Sequence, residues 1–497
     1  MKLYLLGHTM RYEAGNLCFL FFPGEKIEEE TDLAAHGDFY AIMRFKRGET
    51  QTHVLVLLGR AGKKSRAHTT FSAEAKNPVK AGEHALGRAF LTAGEALCGF
   101  RPPWGILTGI RPVKLARELL ASGLDERQTA LHFTKDLWVS PQKAALCLHT
   151  AREETRITAL STPQSASLYI SIPFCPTRCL YCSFISQDVE KSKKLLPAYV
   201  EKLCTELAAV GALTKKLHLR LETIYMGGGT PTSLSAPMLT QIFDTVRAAF
   251  FLDHLREYTV EAGRPDTITP EKLAAIKAGG CTRLCINPQT LDAAVLQCIG
   301  RAHTPEQFFT AFSAARAAGF TSINTDLIAG LPGDTPEGFA HTLDLLLPLA
   351  PEGVTVHTLA MKRSSRLVSS GGARYDACGQ NVERMLSDAY GRLDDAGLAP
   401  YYLYRQRNTV GNLENTGFAR PGHEGLYNVF IMDETHTILA AGAGGVTKMK
   451  QPAGVRIKRV FNFKYPYEYL ARFDEVLARK QQVEAFYDGS AAQNPRG

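Results

Sequence analysis

The sequence lacks a long uncharged apolar run, and no segment approaches the roughly 18 residues that a transmembrane helix needs. Its start contains only a short apolar stretch, which Arg11 and Glu13 soon follow, unlike a secretory signal peptide. Low-complexity segments and long basic tracts are also missing. We therefore expect a cytoplasmic protein with no membrane span, and we do not expect nucleic acid among its partners.

The composition is that of an ordinary globular protein with an unusual supply of thiols. The 497 residues are 45% hydrophobic and 21% charged, and the chain is long enough for several domains. The net charge of +8 is mild and fits attraction to an anionic substrate. Eleven cysteines in a cytosolic chain indicate metal or redox chemistry more than disulfides.

The first third of the chain predicts a small domain followed by helices. The expected elements are strands Phe39–Phe45 and His53–Leu58 and helices Glu83–Leu97, Asp125–Thr134 and Ser140–Glu154. We predict an N-terminal α+β domain of unknown role over residues 1–100 and a helical connector over 101–160. A polar linker, Ser161–Ser167, follows.

Beyond the linker, short apolar strands alternate with helical segments. The predicted strands are Leu168–Ile172, Thr223–Met226, Tyr258–Glu261, Leu284–Asn287, Ile323–Ile328 and Val354–Leu359. Helix-length connections imply parallel βαβ units, so residues 161–362 predict an α/β, TIM-like partial (β/α)6 barrel. Residues 363–497 predict a C-terminal α/β extension on the substrate side, with strands Tyr401–Arg407 and Tyr427–Met432 and a loop, Val410–Gly425, between them.

Three cysteines stand in a C-x3-C-x2-C spacing just after the first of these strands: Cys175, Cys179 and Cys182. Thiolates converging from one loop suit three corners of a [4Fe–4S] cluster. Phe184 stands where a fourth ligand would be, which leaves one iron open to a small molecule. Zinc is the alternative, but it usually takes four ligands. The nearest second pair, Cys281 and Cys285, sits at and within a predicted strand and fits buried packing.

Further motifs follow the ends of other predicted strands, where active groups of βα barrels gather. Gly227–Thr232 (GGGTPT) places backbone N–H groups close to a ligand. Glu261 ends a strand and can accept hydrogen bonds. Gln289 lies just past the end of another strand, and Arg301 follows a helix. Asp326 lies inside an apolar strand, where a carboxylate needs a partner or a function.

The cysteine loop, read as C-x3-C-x-Y-C-x-F, resembles the radical S-adenosylmethionine (SAM) superfamily. The resemblance implies that the open iron binds the amino and carboxylate groups of SAM. An electron from the reduced cluster then cleaves SAM to methionine and a 5′-deoxyadenosyl radical, which abstracts hydrogen from substrate. An electron donor such as flavodoxin or ferredoxin is also implied.

The motifs YISIPFC, GGGTPT, QTL, IGRAH and DLIAGLPG are together similar to the oxygen-independent coproporphyrinogen III dehydrogenase group. HTLAMKRSSRL, YYLYRQR and FNFKYPYEYL extend the similarity to its HemZ-type branch. This implies oxidative decarboxylation of two propionates of coproporphyrinogen III to give protoporphyrinogen IX, with no protein residue as covalent nucleophile. The implied SAM contacts are Tyr169, Tyr181, Gly228, Gly229, Thr230, Glu261, Gln289, Arg301 and Asp326, with Thr358 as a further candidate.

Two positions depart from that group and keep alternatives open. Ser171 and Phe184 replace a His and a fourth Cys, and the Phe is shared with the related haem chaperones. The alternatives are a haem-binding chaperone and a radical SAM enzyme acting on another tetrapyrrole or on RNA. Cations that suit a tetracarboxylate substrate are Lys362, Arg363, Arg366, Arg405 and Arg407.

Overall fold

A computed structural model describes residues 1–33, 37–184, 186–362, 364–369, 379–452, 454 and 456–492. The predicted cation Arg363 lies outside these residues. The chain forms two compact units. The first comprises Met1–Arg152 with Leu403–Asn415 and a short segment around Glu383, and the second comprises the rest. The finer division at residues 100, 160 and 362 stays a prediction.

The first unit is a five-stranded sheet with helices, as the expected α+β domain requires. Its elements are β1 (Lys2–Leu6), α1 (Arg11–Phe21), β2 (Glu28–Glu29), β3 (Phe39–Arg47), β4 (Gln51–Arg60), β5 (Lys63–Ser72), α2 (Pro78–Cys98), α3 (Pro112–Ala121), α4 (Glu126–Leu131) and α5 (Pro141–Thr158). The strand order is β2-β1-β3-β4-β5, in which β1 pairs parallel with both β2 and β3, and β3, β4 and β5 pair antiparallel.

The core of this unit lies between the sheet and helices α1 and α2. Along β4 every second residue is buried, including Val54 and Val56, because side chains alternate across a strand. They share one core with Leu86 and Phe90 of α2 and Phe21 of α1. Full burial of each such side chain stabilises the fold by about 1.5–3 kcal/mol.

A buried charge cluster fixes the helical part of the first unit. Glu414 is fully buried; its carboxylate pairs with Lys143 Nζ at 2.5 Å and accepts a hydrogen bond from Trp104 Nε1 at 2.7 Å. Burial alone would raise the pKa of Glu414, but the Lys143 ammonium outweighs it, and the pKa is lowered. The carboxylate is therefore charged and paired, as a buried charge must be.

The prediction of Arg405 as a substrate cation is wrong. Its side chain is 3% exposed, and its guanidinium donates to the carbonyl oxygens of Leu107, Gly109 and Asn412. Arg407 instead donates to the Tyr12 hydroxyl at 2.9 Å. Arg405 thus holds the chain of the first unit together, and a buried guanidinium saturated by carbonyls is unsuited to binding a substrate.

The second unit carries the predicted alternation of strands and helices. Its elements are β6 (Ser165–Ile172), β7 (Phe174–Cys175), β8 (Gln187–Asp188), α6 (Leu196–Lys216), β9 (Arg220–Gly228), α7 (Ala236–Ala249), β10 (Glu257–Glu261), α8 (Pro270–Ala278), β11 (Arg283–Cys285), α9 (Ala293–Cys298), α10 (Pro305–Ala317), β12 (Ile323–Ala329), α11 (Pro336–Leu346), β13 (Gly353–Thr358), α12 (Arg366–Ser369), α13 (Gln380–Asp395), β14 (Ala399–Arg405), β15 (Glu414–Ala419), α14 (Leu426–Asp433), β16 (Thr437–Ala441), β17 (Val446–Lys450), β18 (Ile457–Phe461), α15 (Pro466–Ala471) and α16 (Phe473–Ala492).

The large sheet has the order β14-β15-β13-β12-β11-β10-β9-β6-β16-β17-β18. Strands β6 and β9 to β13 are the six predicted parallel strands, and each pairs with its neighbour in chain order. The predicted partial (β/α)6 barrel is confirmed: the sheet is open, with antiparallel strands at both edges. The carboxyl ends of the six parallel strands lie along one edge of the sheet, and the motif residues lie at that edge.

Three local predictions are wrong. Ser165–Ser167, expected in a linker, is the buried start of β6. The expected loop Val410–Gly425 contains β15, which pairs antiparallel with β13. Tyr427–Met432, expected as a strand, lies in helix α14. Its first N–H groups bind the Glu257 carboxylate, at 2.6 Å from Leu426 N, so a distant residue caps this helix.

The C-terminal part of the unit adds a seventh parallel strand, β16, beside β6. A fully buried carboxylate, Glu206 of α6, anchors the chain that follows. Its partners are Gly442 N at 2.7 Å, Asn462 Nδ2 at 2.7 Å, Tyr469 hydroxyl at 2.6 Å and Lys480 Nζ at 2.6 Å. The extension is thus bonded to the same sheet that carries the cysteines. Across all described residues, no helix is both long and apolar enough to cross a membrane.

Candidate cofactor site

The cysteine loop leaves the end of β6 and is closed by a short parallel pairing of β7 with β8. Gln187 N donates to Pro173 O at 2.8 Å and Val189 N to Cys175 O at 2.9 Å. Cys179 is buried, and Cys175 and Cys182 are half-buried. These backbone bonds bring both ends of the loop together, so that its three thiols occupy one region.

Burial raises the pKa of Cys175, and it raises that of Cys182 to about 11. These two thiols are therefore protonated near neutral pH until a metal displaces their protons. Within the described chain, no three His, Cys, Asp or Glu side chains converge as they would around one ion. A four-iron cluster is larger than one ion and binds thiolates that stand further apart. The donor set of three unpaired cysteines fits such a cluster.

The glycine motif lies directly against the cysteine loop. Gly229 N donates to Ile172 O at 2.8 Å, and Thr230 N donates to Phe174 O at 2.7 Å. A Cβ on Gly229 would come within 2.5 Å of Phe174 O, so only glycine permits this approach. Gly228 has φ +104°, in the region that favours glycine. The Thr230 hydroxyl lies 3.5 Å from Cys175 Sγ.

Glu261, at the end of β10, meets Tyr225 of β9 across the sheet. The Tyr225 hydroxyl donates to Glu261 Oε1, and burial raises the pKa of this carboxyl to about 7. Tyr225 also stacks on Tyr169 and Tyr427, at centroid distances of 6.3 and 4.7 Å. Tyr169, Gly228 and Glu261 are thus brought together, since a Cβ on Gly228 would lie 3.3 Å from the Tyr169 hydroxyl.

Asp326 has the partner that a buried carboxylate needs. Asn324 Nδ2 donates to its Oδ1 at 2.8 Å, and His357 Nε2 lies 3.7 Å from its Oδ2. Burial raises the pKa of Asp326, but these contacts outweigh it and leave it lowered. Gln289 N donates to Asp326 O at 3.0 Å, which ties the two predicted residues together through the backbone.

Two predicted residues carry polar atoms that other described residues leave unpaired. Gln289, with φ +70°, has a buried Oε1 with no hydrogen-bond partner in the described chain. Arg301 donates from one nitrogen to Asn287 O and Gly263 O, while its buried Nε finds no described partner. Buried polar atoms are normally satisfied. A zwitterionic ligand such as SAM would supply both an acceptor and a donor.

The rest of the predicted set surrounds these groups. Tyr181 lies within the cysteine loop, and burial raises its pKa well above the ordinary value. Thr358 is buried at the end of β13. Cys285 is buried in β11, and Cys281 is buried just before that strand, which fits the expected packing role. The roles assigned to all these residues stay predictions.

Sequence reasoning missed Tyr225, His357 and Tyr427. Tyr225 stands two residues before Gly227 in one strand, so strand alternation could have indicated it. His357 stands two residues after Thr355, which pairs with Asp326, so the register of β12 and β13 was needed to find it. Tyr427 belongs to the helix that was mistaken for a strand, and its place beside Tyr225 depends on contacts between distant segments.

Comparisons with known proteins bear on the family and the fold of this chain. A family model described as the Radical SAM superfamily matches residues 169–346. The chain is 35% identical over 490 residues to the oxygen-independent coproporphyrinogen-III oxidase-like protein HemZ of Bacillus subtilis, covering 96% of each. It is 32% identical over 284 residues to the heme chaperone HemW of Bacillus subtilis, covering 56% of this chain and 70% of the relative.

Among solved structures, the chain matches coproporphyrinogen III oxidase (HemN) from Escherichia coli with a TM-score of 0.51. The match covers 65% of this chain and 72% of the other, at 24% identity, and bears on the fold alone.

Proposed function

This chain belongs to the radical SAM superfamily, in the family of the Bacillus subtilis HemZ protein, and from that membership we propose that it converts coproporphyrinogen III to protoporphyrinogen IX. The cofactors would be a [4Fe–4S] cluster on Cys175, Cys179 and Cys182 and one or more SAM molecules. When bound, they would supply a radical that removes a β-hydrogen atom from a propionate, after which carbon dioxide leaves, one electron passes to an external electron acceptor and a vinyl group forms.

The observation that carries this proposal is a cationic segment bonded to the cysteine loop. Leu367 N donates to Leu180 O at 2.9 Å, and Arg178 donates to Ser364 O at 2.9 Å. These two contacts hold the segment that contains Lys362 and Arg366 against the cysteine loop. The substrate carries four carboxylates, and Lys and Arg side chains bind carboxylates well.

The chain's own groups would position the two substrates. We assign SAM contacts to Tyr169, Tyr181, Gly228, Gly229, Thr230, Glu261, Gln289, Arg301 and Asp326. The glycine motif would let the ligand approach the main chain closely. The unpaired buried atoms of Gln289 and Arg301 would match the amino and carboxylate groups of an amino acid. Orienting both substrates and excluding water are the protein's share of the reaction. An electron donor of the flavodoxin or ferredoxin type would act from outside.

The test is anaerobic turnover of reconstituted protein with SAM, a reductant and coproporphyrinogen III. The expected result is protoporphyrinogen, detected as protoporphyrin after oxidation, with carbon dioxide and 5′-deoxyadenosine. Lys362→Gln with Arg366→Gln should raise KM for the tetrapyrrole about tenfold or more. A matched pair of exposed cations, Lys80 and Arg127, should leave KM unchanged when both become Gln.

A second function is favoured by one observation. Phe184, two residues after Cys182, is 64% exposed, and an exposed ring beside the cysteines suits stacking on a flat macrocycle. The chain is also similar to a heme chaperone. Stoichiometric haem binding, lost in Phe184→Ala, together with no turnover of coproporphyrinogen III, would contradict the enzyme and support the chaperone.

A further inference from the structure

Arg264 follows the Glu261 motif and extends into the cysteine loop. Its side chain is 4% exposed. Two of its nitrogens, Nε and one terminal nitrogen, donate to Asp266 Oδ1 at 3.0 Å and Oδ2 at 2.8 Å. The other terminal nitrogen donates to the Thr177 hydroxyl at 3.0 Å. All three nitrogens are therefore used.

Thr177 lies between Cys175 and Cys179 in the chain. Its hydroxyl also lies 3.4 Å from Gly300 O, and the next contact, Leu180 N to Ile299 O, is 2.9 Å. The guanidinium thus fastens the middle of the loop from one side, while the turn after α9 supports it from the other. Motion of Arg264 would move the backbone between two cysteines.

The pair also has a direction. Asp266 binds Nε and one terminal nitrogen of Arg264, while the other terminal nitrogen binds Thr177 in the cysteine loop, and the Asp266 side chain is 17% exposed. The guanidinium is therefore the end of the ion pair that is bonded to the cysteine loop. Iron–sulfur potentials depend on nearby charge and hydrogen bonds. A positive end toward the cluster favours the reduced form, which carries one more electron.

We propose that Arg264 is a positioning residue for the iron–sulfur cluster, which orders the loop between Cys175 and Cys179 and raises the reduction potential, with Asp266 opposing that charge. This requires the cluster but not the tetrapyrrole reaction. The measurements below therefore use no tetrapyrrole, and their failure is distinct from failure of the proposed function.

The experiment is a redox titration of the anaerobically reconstituted full chain without SAM or substrate, read by the spectrum of the reduced cluster. Arg264→Gln removes the positive charge and should lower the reduction equilibrium constant roughly tenfold, about 59 mV more negative for one electron. Asp266→Asn removes the opposing charge and should shift the potential in the positive direction. Purely structural damage gives no reason for opposite signs.

A matched control is the pair Arg256 and Glu222, which meet at 3.1 Å at the amino ends of β10 and β9. Arg256→Gln and Glu222→Gln should leave the potential unchanged. Equal potentials in Arg264→Gln, Asp266→Asn and the wild type would overturn the proposal, as would shifts of the same sign.

Two further measurements keep the test decisive. If Arg264→Gln holds no cluster, Arg264→Lys, which keeps the charge, should restore the iron content. Failure of that rescue, together with an unchanged reduction potential in Asp266→Asn, would overturn the proposal. SAM affinity is measured in parallel. Weakened SAM binding at an unchanged potential would make Arg264 a SAM ligand and would also overturn it.

Discussion

The Tyr225 hydroxyl donates a hydrogen bond to Glu261 Oε1, while Gly227, on the same strand, leaves room for the second carboxylate oxygen. A Cβ on Gly227 would come within 2.6 Å of Glu261 Oε2. Strand β9 therefore determines both the hydrogen bonding and the position of the Glu261 carboxylate on the neighbouring strand β10. The predicted SAM ligand Glu261 is held in place before any ligand binds.

The first prediction concerns pH. Burial raises the pKa of Glu261 to about 7, above its ordinary value of 4.5, so the folded chain holds this proton more tightly than the unfolded chain. The associated stability is complete below pH 4.5 and is lost as the pH rises through about 7. The free energy of unfolding of the cluster-free protein should fall between pH 5 and 7.5, as measured in urea, and Glu261→Gln should reduce that fall. The exposed Glu201→Gln should not, and an equal fall in both variants would contradict the assignment.

The second prediction concerns the metal ligands. Alanine at Cys175, Cys179 or Cys182 should abolish the brown iron–sulfur absorbance and SAM cleavage, because each thiolate holds one corner of the cluster. Iron and sulfide content per chain measures this directly. Cys281→Ala and the exposed Cys298→Ala should keep a full cluster. A full cluster in all three loop variants would contradict the assignment of these cysteines as cluster ligands. Loss of the cluster in Cys281→Ala would show that Cys281 and Cys285 are not merely packing residues.

The third prediction uses the close approach at Gly227. The added methyl group in Gly227→Ala meets the Glu261 carboxylate, which is the end of a flexible side chain and can move. SAM affinity should fall at least tenfold, with a smaller effect on thermal unfolding. Gly391 lies in α13 with nothing within 4 Å of its would-be Cβ. Gly391→Ala should leave SAM binding intact and stabilise the helix by about 0.5–1 kcal/mol. Equal SAM affinity in both variants would contradict the claim that Gly227 leaves the space in which the Glu261 carboxylate lies.

The fourth prediction tests the correction at Arg405. Arg405→Gln leaves three buried carbonyls without their charged donor and should lower the free energy of unfolding by about 3 kcal/mol. Arg407→Gln, at an exposed contact with Tyr12, should change it by less than about 0.5 kcal/mol. Urea unfolding measures both. A raised KM for the tetrapyrrole in Arg405→Gln, at an unchanged free energy of unfolding, would show that Arg405 contacts the substrate and that this correction is wrong.

Local pattern was enough to predict the six parallel strands and the rim on which the motifs meet. Buried parallel strands are short apolar runs bounded by turns, so Ile323–Ala329 and its neighbours could be found from sequence. The error at Tyr427 has a physical cause. Its apolar run is too short to separate strand from helix, and Glu257, about 170 residues earlier, provides the cap.

The candidate site likewise contains residues that local sequence motifs predict and residues that only contacts between distant segments reveal. Cys175, Gly228 and Glu261 stand in motifs whose spacing is local. The contact of Arg264 with Thr177 joins residues 87 positions apart. Thr177 stands at a position of the cysteine motif that its spacing leaves unspecified, and Arg264 lies outside both the cysteine and the glycine motifs. Side-chain partners across such separations are decided by packing of whole elements, which no window of sequence contains.

The pairing of β6 with β16 has a consequence for how this protein is made. Strand β6 leads directly into the cysteines, yet its neighbour β16 is synthesised roughly 270 residues later. At about 5–20 residues per second, that delay lasts roughly a quarter of a minute to a minute on the ribosome. Throughout it the Ser171 hydroxyl lacks Ala443 O, its acceptor at 2.7 Å in the finished fold. The cluster should therefore be inserted only after β16 has been made and has joined the sheet beside β6.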